Sequence, residues 1–563
     1  MQEFVYFNET PLDFPLHENI FISQEPVSDS AFIVSNSSQY PAEIIANEIN
    51  FYIQNTKDSL AKQIENIHKL YQINGVKFDK GEDIKRSLSI SNQVLFICNE
   101  EQKKLVNDTL SPSEFDELIV SEDRIKDITG NIGNLTVTVK ERFKESIVQV
   151  SQIVWFGAKE LGMKQSGCFD PLQSSLEEVL DTLRKNISDF SYKNNISYNA
   201  TICQYHERRD EICGRCVDEC PTTAIIKDNA TKHLLFNPLN CIDCGGCVSV
   251  CPSGSLDYTP SNTQSIAEIA KLLQGHHPLI IPRRMNTDTL ELELKANVLP
   301  LAIDAESFLQ ESTLLALLQE SGSQLVFYSD FISKGTTDAI YILNQIYQLK
   351  YSKDAVFVAT NKEELEQALE DVDFIEDSNY TFHNHDVRKR EAFALRLKHI
   401  VGNEDLGEVQ CGEYIHYGVV KVKEDNCTLC LACVSACNVG ALIADAETNS
   451  LLLNSSICTT CGYCESTCPE KDCISIERDV IKLNPTWFTN NVVAQDELFA
   501  CVECHKEFAT KKMITKIANM MAPLFKSDPI KERTLYCCED CKPKIMMKSY
   551  MENKKNYNNT TIK

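Results

Sequence analysis

The sequence predicts an α+β, multidomain chain. It reads as two copies of a small metal-binding module, one α/β domain before the first copy and another between the copies, and a small cysteine knuckle near the end. Three observations predict this. The 25 cysteines are clustered, with eight between 203 and 251, nine between 427 and 473 and five between 501 and 541. Seven of them recur at one fixed offset. The blocks without clustered cysteines alternate short apolar runs with helix-favouring stretches, the rhythm of parallel strands and crossover helices.

The chain has 563 residues, room for three to four domains at about 150 residues each. Its 55 Lys+Arg against 81 Asp+Glu give a formal net charge of -26. Such a surface repels phosphate, which argues against nucleic acid and against anionic membranes. No run approaches the 18 or more apolar residues that a spanning helix needs. The opening MQEFVYFNETPLDF has no basic region, apolar core or twin arginine, so no export signal is read there. Clustered cysteines in a long chain without such a signal point to metal ligation in a reducing compartment, the cytoplasm.

Residues 1–195 are read as an α/β domain. Gln93–Ile97 and Glu117–Val120 read as strands, and Glu100–Leu110 between them as a helix. Helices are also expected over 42–72, from the spacing of Ile44, Ile45, Ile49, Tyr52 and Ile53, and over Leu176–Ile187. Residues 263–400 are read as a second α/β domain. Its strands are expected at Leu279–Ile281, Leu299–Ile303, Leu325–Tyr328 and Ala355–Ala359, and its helices at Ser307–Gln319, Thr337–Leu349 and Lys362–Leu369. No phosphate-binding glycine motif stands at a strand-to-helix junction here, so the block reads as a spacer or docking domain. Residues 549–563 are polar and expected to be disordered.

The modules are expected at 196–262 and 410–485. Cys213, Cys216, Cys220, Cys241, Cys244, Cys247 and Cys251 map onto Cys430, Cys433, Cys437, Cys458, Cys461, Cys464 and Cys468, each 217 residues further on. A module near 50 residues long has a poor apolar core and needs a metal staple. Residues 241–252 read CIDCGGCVSVCP, a Cys-x2-Cys-x2-Cys-x3-Cys-Pro run. In this run three thiolates wrap one iron-sulfur cubane and the fourth ligates the other cluster of the pair. CTLCLACVSAC at 427–437 and CTTCGYCESTCP at 458–469 repeat it, with Asn438 in place of the proline, which is not a ligand. Zinc motifs come instead as separated Cys-x2-Cys pairs.

The first hook of the first copy is irregular. Three residues before Cys213 stands Asp210, and Cys203 lies ten residues before it. Cys203 is the favoured fourth ligand, because sulfur is softer than oxygen. Asp210 as ligand and a three-iron cluster are the alternatives. Sharing ligands between hooks then gives four sets. Set one is Cys203, Cys213, Cys216 and Cys251; set two is Cys220, Cys241, Cys244 and Cys247. Set three is Cys427, Cys430, Cys433 and Cys468; set four is Cys437, Cys458, Cys461 and Cys464. Four [4Fe-4S] clusters are therefore expected. Cys98, Cys168, Cys411 and Cys473 lack ligand spacing and read as structural thiols.

Residues 495–548 are read as a four-cysteine knuckle. Cys501 and Cys504, then Cys538 and Cys541, are two Cys-x2-Cys hooks that suit one structural zinc in a ribbon-like site. Iron is the alternative metal, and Cys537 and His505 are the alternative ligands. Phe508–Met521 reads as a helix, with a basic group at Lys506, Lys511, Lys512 and Lys516 that reads as a solvated face.

These motifs resemble bacterial-type ferredoxin modules. The order of parts, from QYHERRDEICGRCVDECPTTAI through the α/β block to CVECHKEFAT and RTLYCCEDCK, resembles a family of bacterial multi-cluster ferredoxins (polyferredoxins) over about residues 200–545. In that family the offset cysteine before CGRC is usual, which adds to the case for Cys203. Members are often encoded beside formate dehydrogenase, so the resemblance implies a redox partner of that kind. The middle block is also distantly similar to small hydrogenase iron-sulfur subunits. An electron carrier is the leading reading. An enzyme is the second, and would need a flavin, nicotinamide or molybdenum site whose signature the sequence lacks. An assembly factor with structural or sensory clusters is the third.

Overall fold

The computed structural model describes residues 3–26, 33–111, 113–288, 290–382, 387–525 and 528–560. It divides into two compact units, 1–396 with 412–415, and 397–411 with 416–563.

In the first unit, Gln93–Ile97 lies between the parallel strands Gln152–Trp155 and Asp116–Val120, with Cys168–Phe169 at the edge. Val94, Leu95 and Phe96 have no exposed surface, so both faces of this sheet are covered. That explains a continuous apolar run rather than an alternating one. Helix Glu100–Thr109 starts on a capping box in which Asn99 and Gln102 satisfy each other's backbone N–H. Ser175 and Glu178 do the same for helix Leu176–Asn186. An antiparallel meander of Ile125–Asn131, Asn134–Lys140 and Glu145–Val150 packs alongside, an element beyond those expected from the sequence.

The single helix expected over 42–72 is replaced by three elements. Ile44–Ile45 is a strand paired with Val34–Ser35, and the helices are Glu48–Asn55 and Leu60–Lys80. The break holds Asp58, whose carboxylate accepts from the Tyr52 hydroxyl and the Asn66 amide. A side chain bonded across the break offers the chain an alternative to helix continuation.

The middle block is a four-stranded parallel sheet in the order Val298–Ile303, His277–Pro282, Leu325–Tyr328, Val356–Ala359. Helices Glu311–Ser321, Lys334–Tyr351 and Lys362–Asp371 flank it. The first of these begins four residues later than the apolar pattern suggests, because 304–310 form a loop that meets the first metal module. A Cβ on Gly245 would lie 2.6 Å from Phe308 in that loop, so the approach requires glycine.

The modules have the same hairpin at the same 217-residue offset. Ile225–Asp228 pairs with His233–Phe236 in the first, and Leu442–Asp445 with Ser450–Leu453 in the second. A second ribbon closes each module: Ile196–Tyr198 with Leu256–Tyr258, and Gly418–Val422 with Ile474–Arg478. In the second unit the knuckle follows, with the hairpin Leu498–Ala500 and Glu507–Thr510 and helix Lys511–Met521. The last helix, Cys541–Thr560, runs into the stretch expected to be disordered. Residues 544–560 hold neither glycine nor proline, so nothing in them stops a helix once it has started. Residues 561–563 lie outside the described residues. Among the described residues no helix is long and apolar enough to cross a membrane.

Candidate metal centres

Each ligand hook is shaped by backbone in the left-handed region. In the three regular hooks the same two positions have positive φ: Asp243 and Gly245, Leu429 and Leu431, Thr460 and Gly462. They follow the first ligand by two residues and the second by one. Turning the chain there aims N–H groups inward, where they meet the cysteine sulfurs. The Asp243 N–H donates to Cys241 Sγ at 3.4 Å, and the Thr460 N–H to Cys458 Sγ at 3.4 Å. Leucine and threonine tolerate this conformation poorly, at about 1–2 kcal/mol each, so something at the hook must hold it. In the irregular hook only the second step is present, at Gly214. The step that would bring Asp210 in is absent.

The first module has two cavities, and each is walled by four cysteines. Cys203, Cys213, Cys216 and Cys251 line one, with Tyr198, Tyr205, Leu234 and Leu256. Cys220, Cys241, Cys244 and Cys247 line the other, with Ile196, Ile225 and Phe236. Asp210 lines neither; it is half-exposed and paired with Arg209 at 3.3 Å. The Tyr205 N–H reaches Cys203 Sγ at 3.5 Å. The geometry thus brings together sets one and two, with Cys203 and without Asp210.

Electrostatics groups the sulfurs in the same way. Burial, then Cys251, Cys213 and Cys203, push the Cys216 thiol far up. Burial raises Cys247, followed by Cys216 and its set-two partners Cys244, Cys241 and Cys220. In the second module, burial and then Cys427, Cys430 and Cys468 push Cys433 up to about 11. Burial and then Cys458, Cys461 and Cys437 raise Cys464, with Cys433 next. So sets three and four converge as well, and within each module the two sets are neighbours through Cys216 and Cys247 or Cys433 and Cys464. Four thiols crowded in a dry pocket resist ionising together unless cationic iron compensates them. Soft donors, apolar walls and inward N–H groups fit [4Fe-4S] clusters.

Other parts of the first unit hold the first module's ligands. From the N-terminal domain, the Ser166 N–H donates to Asn240 Oδ1, and the Asn240 amide donates to Gly130 O. From the middle block, the buried Lys389 ammonium donates to Ser249 O and Cys251 O, both at 3.1 Å, and pairs with buried Glu311 at 3.3 Å. Arg390 Nε donates to Pro252 O beside it.

Of the cysteines read as structural, Cys98 and Cys168 are buried and Cys411 half-buried. Cys473 is buried too, but its place is more specific. Burial and then Cys427 and Cys468 push it up to about 12, so it stands against set three. The repeat carried the signal: 473 minus 217 is Leu256, which lines the set-one cavity.

At the knuckle the Sγ atoms of Cys501, Cys504, Cys538 and Cys541 lie within 4.8 Å of one another. The hairpin end carries the first two and the start of the last helix the others. The Cys538 N–H donates to Cys501 Sγ at 3.3 Å. Burial would raise the Cys501 thiol, but the N–H groups of Cys538, Cys504 and Glu503 outweigh it and bring it down to about 6. That favours the thiolate a metal needs. Cys537 is outside the group and donates to Arg533 O, and His505 is outside it as well. The nearby lysines are tied down rather than free: Lys506 to Asp540, Lys511 to Glu497, Lys516 to Glu470 and Lys512 to Glu424 O.

The profile of the 4Fe-4S dicluster domain matches residues 211–256, and a second profile of that description matches 419–469. The chain carries two 4Fe-4S dicluster ferredoxin domains. Two curated proteins are similar over short stretches of the chain. One is the polyferredoxin protein MvhB of Methanothermobacter marburgensis, 39% identical over 67 residues, 10% of this chain and 16% of that protein. The other is the polyferredoxin-like subunit of an aliphatic sulfonate oxidoreductase of Pyrococcus furiosus, 39% identical over 51 residues, 9% of this chain and 29% of that subunit. The chain thus spans less than a third of either relative. The likeness supports iron-sulfur electron transfer.

Proposed function

We propose that this protein is an electron carrier, a non-catalytic relay with four [4Fe-4S] clusters held by sets one to four and one structural zinc at Cys501, Cys504, Cys538 and Cys541. The observation that carries the reading is the pair of cavities in the first module, each walled by four cysteines drawn from both hooks. That sharing places two one-electron centres side by side. The partner is a redox enzyme of the oxidoreductase type, as the name of the Pyrococcus subunit suggests for that protein; the order of parts points to formate dehydrogenase. The setting is a reducing compartment, the cytoplasm, where clustered thiols stay available to iron.

Reversible cycling tests the proposal. Anaerobically prepared protein is titrated with dithionite and then with a mild oxidant. A carrier bleaches its visible charge-transfer band and recovers it at constant iron content. An assembly factor with structural clusters would lose iron or fail to bleach. A formate dehydrogenase supplied with formate should reduce the protein catalytically, and failure with that enzyme alone would remove only the partner assignment.

A further inference from the structure

Tyr198 ends the strand Ile196–Tyr198, opposite Leu256, and lines the set-one cavity. Its ring packs on Phe236 at 4.8 Å. Its hydroxyl is buried and, among the described residues, meets no hydrogen-bond partner. Burying an O–H without an acceptor costs about 1–3 kcal/mol, so a native site seldom leaves one unused. Tyr198 lines the same cavity as the four sulfurs of set one.

Several other side chains on the two walls donate elsewhere, while the buried Ser253 hydroxyl already stands 3.9 Å from Cys251 Sγ in the set-one cavity. Tyr205 shares the set-one cavity but donates to Asn229 Oδ1 at 2.8 Å. In the set-two cavity the Thr222 hydroxyl donates to Asn240 O, the Asn195 amide to Asp83 and Asp243, and the Asn237 amide to Asn131.

We infer that Tyr198 donates its hydroxyl proton as a hydrogen bond to sulfur of the cluster held by Cys203, Cys213, Cys216 and Cys251, and that this raises the potential of that cluster. The inference rests on the four-cluster reading above. Hydrogen bonds to sulfur raise the potential because they stabilise the reduced, more negative state. One electron arrives from an external low-potential donor, no bond breaks, and the proton stays on the phenol. Tyr198 is a positioning and tuning residue rather than a ligand.

The test is an EPR-monitored dithionite titration of the full-length holoprotein with iron and sulfide counted. Tyr198→Phe should keep its iron and lower one midpoint, by about tenfold in the reduction equilibrium, or about 59 mV for one electron. Tyr205→Phe, which removes a committed phenol from the same wall, should move none. A site-specific difluorotyrosine at position 198, a stronger donor of the same shape, should raise that same midpoint, and it serves where the phenylalanine variant releases iron. Unchanged midpoints in fully loaded Tyr198→Phe and difluorotyrosine proteins would overturn the inference alone, as would equal shifts in Tyr198→Phe and Tyr205→Phe. Wild-type protein without [4Fe-4S] signals would overturn the four-cluster reading as well.

Discussion

Cys203 and Asp210 show how one residue decides a ligand set. Spacing leaves the fourth ligand of the irregular hook open. The fold favours Cys203: it walls the cavity with that residue and leaves Asp210 outside on Arg209. Cys203→Ala should therefore lower iron by about four per chain, or leave a three-iron cluster with its distinct EPR signal, while Asp210→Ala leaves iron unchanged. The reverse pattern would reassign the ligand. At the knuckle, Cys504→Ser should remove the zinc and spare the iron, whereas Cys537→Ala should keep both, since Cys537 stands outside the four converging sulfurs. Metal analysis of the purified variants decides it. The residue types and the 217-residue offset were legible because metal chemistry demands fixed spacing. The role of Tyr198 was not, since an uncommitted hydroxyl exists only once the strand, its partner and the cavity are in place.

Elements whose signal is local were legible, and elements whose signal is not were missed. The capped helices and the parallel strands of the middle sheet follow from caps and buried runs. The break after Asn55 depends on Asp58 finding Tyr52 and Asn66, and the Ile44–Ile45 strand on its neighbour Val34–Ser35; neither shows in a periodic pattern. The ion pair of Lys389 and Glu311 belongs to this scale too, because it ties the middle block to the turn that carries Cys251. Both side chains are at most 5% exposed. Lys389→Met would leave Glu311 buried without its counter-charge, at about 3–5 kcal/mol. Denaturant unfolding of the first unit should show that loss, accompanied by faster release of iron from set one. Little change in either would mean the pair is bystander packing.

For the whole molecule, the blocks separated by composition before residue 396 share one compact unit, so the first module is held from two sides by α/β structure. That makes the α/β blocks a scaffold for the ligand loops. The formal charge of -26 suits a basic patch on the partner. Reduction by an enzymatic donor should therefore slow steeply as salt rises, with little change once the two proteins are bound; a salt-independent on-rate would argue for apolar docking instead. Function at this scale was only partly legible, because chain order and net charge name a class of partner and not a member of it. Four clusters and one zinc fix the metal content of the chain, which metal analysis measures. Anaerobically purified or reconstituted protein should hold about sixteen iron, sixteen acid-labile sulfide and one zinc per chain. Several zinc with little iron or sulfide would contradict it.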